Sequence, residues 1–219
     1  MRKLIVCTAI LAVALVPQAK ASVELDFGIP SLNGGLFSWG GNGSDLFATN
    51  LGVSDVAGIS TPNNPGTSLA IANGTLNATS GPGTFVGNIV SFGAGAANSI
   101  TINGSILGNT TEVLLSGQVT SAKLETLYGQ TVLDLTGFTN SIASDLAAHF
   151  GVPTFPWAGA FHVDFTLPTG VSLGQPFNKA GAGSGDLVTS PVPEPSSLTI
   201  AALGALGLLG YGIRRRRGV

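Results

Sequence analysis

Apolar and polar residues alternate along short runs of this chain, and pairs of turn-forming residues separate the runs. Alternation with a period of two is typical of strands that bury one face. Asn73-Gly74 and Asn103-Gly104 each lie between two such runs. Both residues of an Asn-Gly pair readily adopt positive φ, so each pair predicts a type I′ hairpin. Further strands are predicted at residues 23–27, 84–92, 112–120 and 131–135.

One segment has the features of a helix. Ser141 is a suitable N-cap for residues 142–150, Gly151 suits the C′ position, and Pro153 prevents continuation. With short strands elsewhere, the pattern predicts a mainly β domain over residues 22–173. The expected fold is an antiparallel β-sandwich or jelly roll with one short α-helix.

The clearest strand pattern, at residues 161–167, carries candidate chemistry. Its alternation places aromatic and aliphatic residues on the core face and puts His162 and Asp164 together on the other face. One hypothesis is a catalytic His–Asp dyad. The other is the solvated face of a strand, which is favoured because no Gly-x-Ser-x-Gly motif supplies a third partner.

Two further residues are weaker candidates for binding. Asp45 lies in residues 40–47, which fit a calcium-binding nonapeptide once, but a single copy lacks the neighbouring turn that shares the ion. A glycine-rich turn between strands is therefore favoured there. Trp157 follows Pro156 in a segment expected to be an exposed loop, where its ring could stack on sugars. The favoured alternative is that Trp157 fills the core.

The N-terminal segment has the layout of a secretory signal peptide. Basic Arg2 and Lys3 precede an apolar run at residues 4–16. Ala19 and Ala21 then form an A-x-A site for signal peptidase before Ser22. Residues 1–21 are therefore predicted to direct export and to be removed.

The C-terminal segment combines a proline motif, an apolar run and a basic cluster. Residues 174–191 are rich in glycine and are expected to form a flexible linker. The apolar run at residues 198–213 predicts a transmembrane helix of about 24 Å, slightly short for a hydrocarbon core of about 30 Å. The positive-inside rule keeps the basic cluster on the cytoplasmic side. The flanking motif residues are Val192, Pro193, Glu194, Pro195, Arg214, Arg215, Arg216 and Arg217.

Residues 192–217 resemble a PEP-CTERM sorting signal, the three-part C-terminal tag of many secreted proteins of Gram-negative bacteria. The resemblance rests on Pro193-Glu194-Pro195, the short apolar helix and the arginines that follow. It implies recognition by an exosortase, a membrane protease that cuts near Pro-Glu-Pro, and transient residence in the inner membrane. It further implies an association with exopolysaccharide and biofilm formation. It covers about an eighth of the chain, and the β-rich body resembles no characterised family.

Charge and cysteine content exclude several classes of function. Of nine Lys and Arg residues, only Lys123 and Lys179 lie between residues 22 and 192, which hold ten of the eleven Asp and Glu residues. A net charge of about −8 on this part argues against nucleic-acid partners. The only cysteine, Cys7, lies in the signal peptide. Disulfides, cysteine-ligated metals and thiol catalysis are therefore not expected in the body, and no cofactor is expected.

Three hypotheses of function follow. The first is a non-enzymatic protein of the cell envelope, cell surface or extracellular matrix that acts by structure or by association with exopolysaccharide. The second is a carbohydrate-binding β-sandwich that uses Trp157. The third is a glycan or ester hydrolase that uses His162 and Asp164.

Overall fold

The computed structural model describes residues 23–30, 35–59, 67–93, 98–154, 156–180 and 183–192, together with residue 204. Residues 138–140 and 179–180 are described by their backbone alone. All strands and the helix of these ranges belong to one compact unit, Ala21–Val192.

The described residues form twelve strands and one short helix in that unit. The strands are β1 (Glu24–Ile29), β2 (Leu36–Trp39), β3 (Asp45–Ile59), β4 (Ser68–Val86), β5 (Ile89–Phe92), β6 (Ser99–Ser105), β7 (Glu112–Gln118), β8 (Ser121–Leu127), β9 (Gln130–Ile142), β10 (Trp157–Phe165), β11 (Phe177–Ala180) and β12 (Gly183–Pro191). The helix is α1 (Ser144–Phe150).

The strands pair only in antiparallel fashion within the described residues, and the sheet closes on itself. Its order is β11-β2-β3-β1-β12-β10-β9-β7-β6-β4-β5-β8, with additional pairings β3–β4 and β8–β9. Strands β3, β4 and β9 are long enough to change partners along their length. The two additional pairings therefore bring opposite parts of the sheet together. The prediction of a mainly antiparallel, β-sandwich-like fold with one short helix is confirmed.

The core lies between the inward faces of these strands. Phe161, Val163 and Phe165 of β10 are all buried, as the alternation predicts. Phe165 stacks on Phe37 of β2, with ring centroids 4.7 Å apart. Because β2 and β10 lie far apart in the strand order, this contact joins distant parts of the sheet across the core.

The two predicted Asn-Gly hairpins are wrong. Strand β4 continues through Asn73 and Gly74, and β6 continues through Asn103 and Gly104. Asn73 does have positive φ, 53°, but the register shifts there against β3 and β6, which marks a β-bulge. A Cβ at Gly74 would collide with the carbonyl oxygen of Val53. Glycine is required there for close backbone approach, and the chain does not reverse.

The hairpin turns lie elsewhere. The predicted strand 84–92 is divided into β4 and β5 by a turn at Gly87 and Asn88. Strands β8 and β9 are joined by Tyr128 and Gly129, both with positive φ. Two central residues with positive φ are the requirement of a type I′ turn, here met with a tyrosine in the first position.

The predicted flexible linker over residues 174–191 is wrong, because these residues include strands β11 and β12. Strand β12 pairs with β1 on one side and with β10 on the other, so it lies inside the sheet. Its Leu187 is fully buried. A Cβ at Gly185 would collide with the carbonyl oxygen of His162, so this glycine permits close strand packing.

Helix α1 starts later than predicted, at Ser144, with Ala143 as its N-cap. Ser141 and Ile142 belong instead to the end of β9. Gly151 has the expected left-handed conformation at the C-terminal end, with φ of 67°. Leu146 on the buried face is fully inaccessible, which fixes the helix on the sheet.

Both chain ends with predicted targeting functions lie outside the described residues, apart from Val192 and residue 204. This applies to the signal peptide 1–21, to the remainder of the sorting signal 192–217 and to the apolar run 198–213. Among the residues that the structure describes, no helix has the length and apolar character needed to span a membrane.

Candidate functional site

His162 and Asp164 lie on the outer face of β10, as predicted. Their side chains are about half exposed, at 46% and 48%. The three residues that alternate with them point into the core. This part of the strand therefore presents its polar groups to solvent on a rigid support.

The antiparallel register extends this polar face across neighbouring strands. His162 lies opposite Asp134 of β9 on one side and opposite Asp186 of β12 on the other. Asp186 lies opposite Gly28 of β1, which in turn lies opposite Asp55 of β3. We call this line of five residues the acidic row. Each strand contributes one outward residue to it, and His162 is its only basic member.

His162 contacts two carboxylates. Its Nδ1 lies 2.5 Å from Oδ1 of Asp134, and its Nε2 lies 3.5 Å from Oδ1 of Asp164. The hydrogen bond to Asp134 raises the pKa of His162 above 6.5, and burial opposes this rise. The negative charges of Asp134, Asp164 and Asp186 raise the pKa further. The histidine therefore retains its proton to higher pH than a free imidazole.

Asp26 of β1 lies outside the row and interacts with two of its carboxylates. Burial raises the pKa of Asp26 above 3.8, and the charges of Asp186 and Asp55 add to the effect. Oδ1 of Asp26 is buried and has no hydrogen-bond partner within the described residues. A Cβ at Gly28 would come within 2.7 Å of Oδ1 of Asp55, so the absence of a side chain makes room for that carboxylate.

An open groove of about 280 Å³ follows the row. Its lining includes the carboxylates of Asp55, Asp164 and Asp186, the imidazole of His162, and Ser184. The groove is therefore acidic, with three carboxylates and one imidazole that can carry a positive charge.

Among the described residues, the arrangement around His162 lacks a nucleophile placed against the imidazole. In a triad, one imidazole nitrogen faces a carboxylate and the other faces the nucleophile. Here both nitrogens of His162 face carboxylates. Within the described ranges, no hydroxyl group makes a hydrogen bond to His162. For the hydrolase hypothesis, the closer carboxylate partner of His162 is therefore Asp134. No nucleophile for this pair is found among the described residues.

Asp45 directly follows the glycine-rich turn favoured by the sequence. It is the first residue of β3 and lies opposite Pro82 of β4. Gly41 and Gly43 both have positive φ, and the turn is closed by a hydrogen bond from Ser44 N to the carbonyl oxygen of Gly41, 2.9 Å. Among the described residues, no group of three or more His, Asp or Glu side chains is arranged to hold a metal ion.

Trp157 is not in an exposed loop, and that prediction is wrong. It begins β10 and is fully buried, and its Nε1 donates a hydrogen bond to the carbonyl oxygen of Pro153 at 2.8 Å. Trp39 is also buried. Both rings contribute to the core and are unavailable for stacking on a sugar.

Sequence reasoning placed His162 and Asp164 on one face but missed Asp134, Asp186 and Asp55. Asp134 alternates with buried Leu133 and Leu135, and this alternation marked it as an outward residue of a strand. It lies 28 positions from His162 in sequence. Which outward residues meet depends on strand order and register, and the local pattern does not contain that information.

Comparison with known proteins matches one segment of the chain. The model of the PEP-CTERM protein-sorting motif matches residues 191–217. Comparisons with curated proteins and with solved structures give no match.

The matched segment begins at Pro191, the last residue of β12. It contains the Pro193-Glu194-Pro195 element, the apolar run and the four arginines. Such a motif implies processing by exosortase-type machinery and export to the cell surface or the extracellular space. This chain therefore carries a PEP-CTERM protein-sorting motif at its C-terminal end.

Proposed function

We propose that this protein is a component of the cell surface or extracellular matrix that acts without catalysis, by its structure and by association with exopolysaccharide in a biofilm. The sorting motif at residues 191–217 is the observation that carries the proposal. It directs the chain to the location where such a matrix forms.

The junction between the sheet and the motif supports this function. Strand β12 ends at Pro191, and the Pro-Glu-Pro element begins two residues later. A cut near Pro-Glu-Pro leaves every described strand on the same product. Exosortase processing thus releases an intact β domain from its apolar segment and its arginines.

The released domain has a composition suited to a hydrated matrix. Residues 22–192 contain ten acidic residues and two lysines. Net negative charge keeps a small domain soluble and disfavours self-association. The buried aromatic core and the closed strand pairing give this domain stability without disulfides.

Deletion of residues 193–217 tests the sorting part of this proposal. We expect the truncated protein to pass the inner membrane and to be lost from the surface or matrix fraction, because it lacks both the membrane handle and the exosortase motif. Cell fractionation with immunoblotting measures the distribution.

A matched control separates membrane insertion from recognition. The variant Pro193→Ala/Glu194→Ala/Pro195→Ala keeps the apolar run and the arginines, so we expect it to accumulate uncut in the inner membrane. If the deletion leaves the distribution unchanged, the sorting part of the proposal is wrong.

A further inference from the structure

A second groove lies where three loops of the sheet meet, and it shares no lining residue with the first groove. The loop between β10 and β11 forms one wall, at residues 166–173. Asn88 of the β4–β5 turn and residues of the β8–β9 hairpin, from Thr126 to Thr131, form the other. The groove is open to solvent and has a volume of about 520 Å³, within the range of clefts that bind small molecules.

The polar groups of this groove are uncharged. Its described lining contains no Asp, Glu, Lys, Arg or His side chain. In a protein whose exported part is strongly acidic, this neutrality distinguishes the second groove from the first. Its amide and hydroxyl groups both donate and accept hydrogen bonds. They belong to Asn88, Thr126, Thr131, Thr166, Thr169 and Ser172.

Thr131 is the most buried of these polar residues. Thr131 is only 2% exposed, yet it lines the groove. No side-chain hydrogen bond of Thr131 is found in the described part of the chain. Its hydroxyl group can therefore donate to and accept from a molecule in the groove.

Apolar groups lie among the polar ones. Leu167, Pro168, Val171 and Leu173 belong to the same loop and line the groove. A surface that alternates apolar and hydroxyl groups matches a sugar ring, which presents C–H groups on its faces and hydroxyl groups at its edge. The exposed ring of Tyr128 belongs to the turn whose next residue, Gly129, also lines the groove.

The loop wall is preformed. Val171 N donates to the carbonyl oxygen of Pro168 at 3.0 Å, and Gln175 N donates to the carbonyl oxygen of Ser172 at 3.1 Å. Leu173 is buried against the core. At Gly174, φ is 99° and a Cβ would come within 2.7 Å of the Phe85 ring, so this glycine lets the loop lie against β4. A ligand therefore meets a wall that is already ordered.

We propose that this groove binds one or two residues of an uncharged saccharide. Hydroxyl groups of the sugar satisfy Thr131 and its polar neighbours, and its C–H faces contact the apolar residues of the loop. A charged sugar would lose hydration without gaining a partner of opposite charge. The inference rests on the proposed association with exopolysaccharide and gives that association a site.

The test is a titration of the full-length chain, purified in a detergent without a sugar head group. The probes are the neutral disaccharides cellobiose, maltose and lactose, with a uronic-acid disaccharide and a glucosamine disaccharide as charged counterparts. Saturation-transfer NMR measures binding. We expect at least one neutral disaccharide to bind with Kd on the order of 1 mM and the charged counterparts to bind at least about tenfold more weakly.

Three variants locate the site. Thr131→Val removes the hydroxyl group at nearly constant shape and should weaken binding at least about fivefold. Ser172→Trp fills the groove from an exposed position, so it should abolish binding even if Thr131→Val fails to fold. Thr136→Val makes the same chemical change on β9 outside the groove and should bind like the wild type.

The proposal is overturned if no neutral disaccharide shows saturable binding, if a charged disaccharide binds more tightly, or if Ser172→Trp leaves the affinity unchanged. Its failure is separable from failure of the proposed function. Ser172→Trp retains the sorting motif, so its export reports on sorting, whereas its disaccharide titration reports on the groove alone.

Discussion

The pKa of His162 depends on the carboxylates that surround its ring. Asp134 of β9, Asp164 of β10 and Asp186 of β12 all act on its ring, and the hydrogen bond to Asp134 is the largest cause of its raised pKa. Because the folded state binds this proton more tightly than the unfolded state, protonation of His162 stabilises the fold. This stabilisation is fully present below pH 6.5 and is lost as the pH rises through the pKa of His162 in the folded state.

We therefore expect the free energy of unfolding to fall by about 0.2–1 kcal/mol as pH rises through the window above 6.5. The estimate is that of a solvent-exposed ion pair, because the side chains of His162 and Asp134 are 46% and 35% exposed. Urea unfolding between pH 5.5 and 9 measures the change. His162→Gln should remove it.

Two controls accompany this measurement. Asp134→Asn removes the main cause of the raised pKa and should reduce the same pH dependence. His149→Gln removes the other histidine, which lies in the last turn of α1, and should leave the contribution of His162 in place. An identical pH dependence in His162→Gln and the wild type would contradict the assignment.

At the scale of elements, the sequence was informative where a pattern is local and failed where it depends on distant strands. Alternation correctly placed Phe161, Val163 and Phe165 in the core, because a period of two belongs to the strand itself. Glycines were misread as markers of turns and flexibility. Gly74 and Gly185 are needed because a backbone from another strand passes close to them, and no local pattern reveals that approach.

The same limit applies to the two grooves. The acidic row requires the pairing of β9, β10, β12, β1 and β3, and the neutral groove requires the meeting of three loops. The polar residues of the neutral groove, such as Asn88 and Thr166, appear in the sequence as ordinary turn and strand-end residues. Register and loop packing, set by the whole sheet, bring them together.

The prediction at the scale of elements concerns the contribution of β12 to the core. Leu187→Ala should lower the free energy of unfolding by about 2–5 kcal/mol, because it leaves a cavity in a fully buried position of a central strand. Denaturant unfolding of both proteins measures the difference. Ser184→Ala, on the exposed face of the same strand, should change stability by less than about 0.5 kcal/mol. Equal, small effects would mean that residues 183–191 contribute no core packing.

At the scale of the whole molecule, the sorting motif and the β domain have different roles. The motif at residues 191–217 implies export and exosortase-type processing. The domain provides an acidic surface with two chemically different grooves, one rich in carboxylates and one neutral. No lining residue of either groove lies beyond Asp186, so a cut near Pro193-Glu194-Pro195 leaves both linings on the same product.

Mass spectrometry of the mature protein tests the central claim most directly. The protein is recovered from the surface and matrix fraction of cells with and without the exosortase, and its C-terminal peptide is identified. We predict a product that retains β12 through Pro191, ends near Pro193-Glu194-Pro195, lacks Arg214–Arg217, and is absent without the exosortase. Recovery from that fraction of a chain that still carries its arginines, or of the same cut product without the exosortase, would contradict the claim.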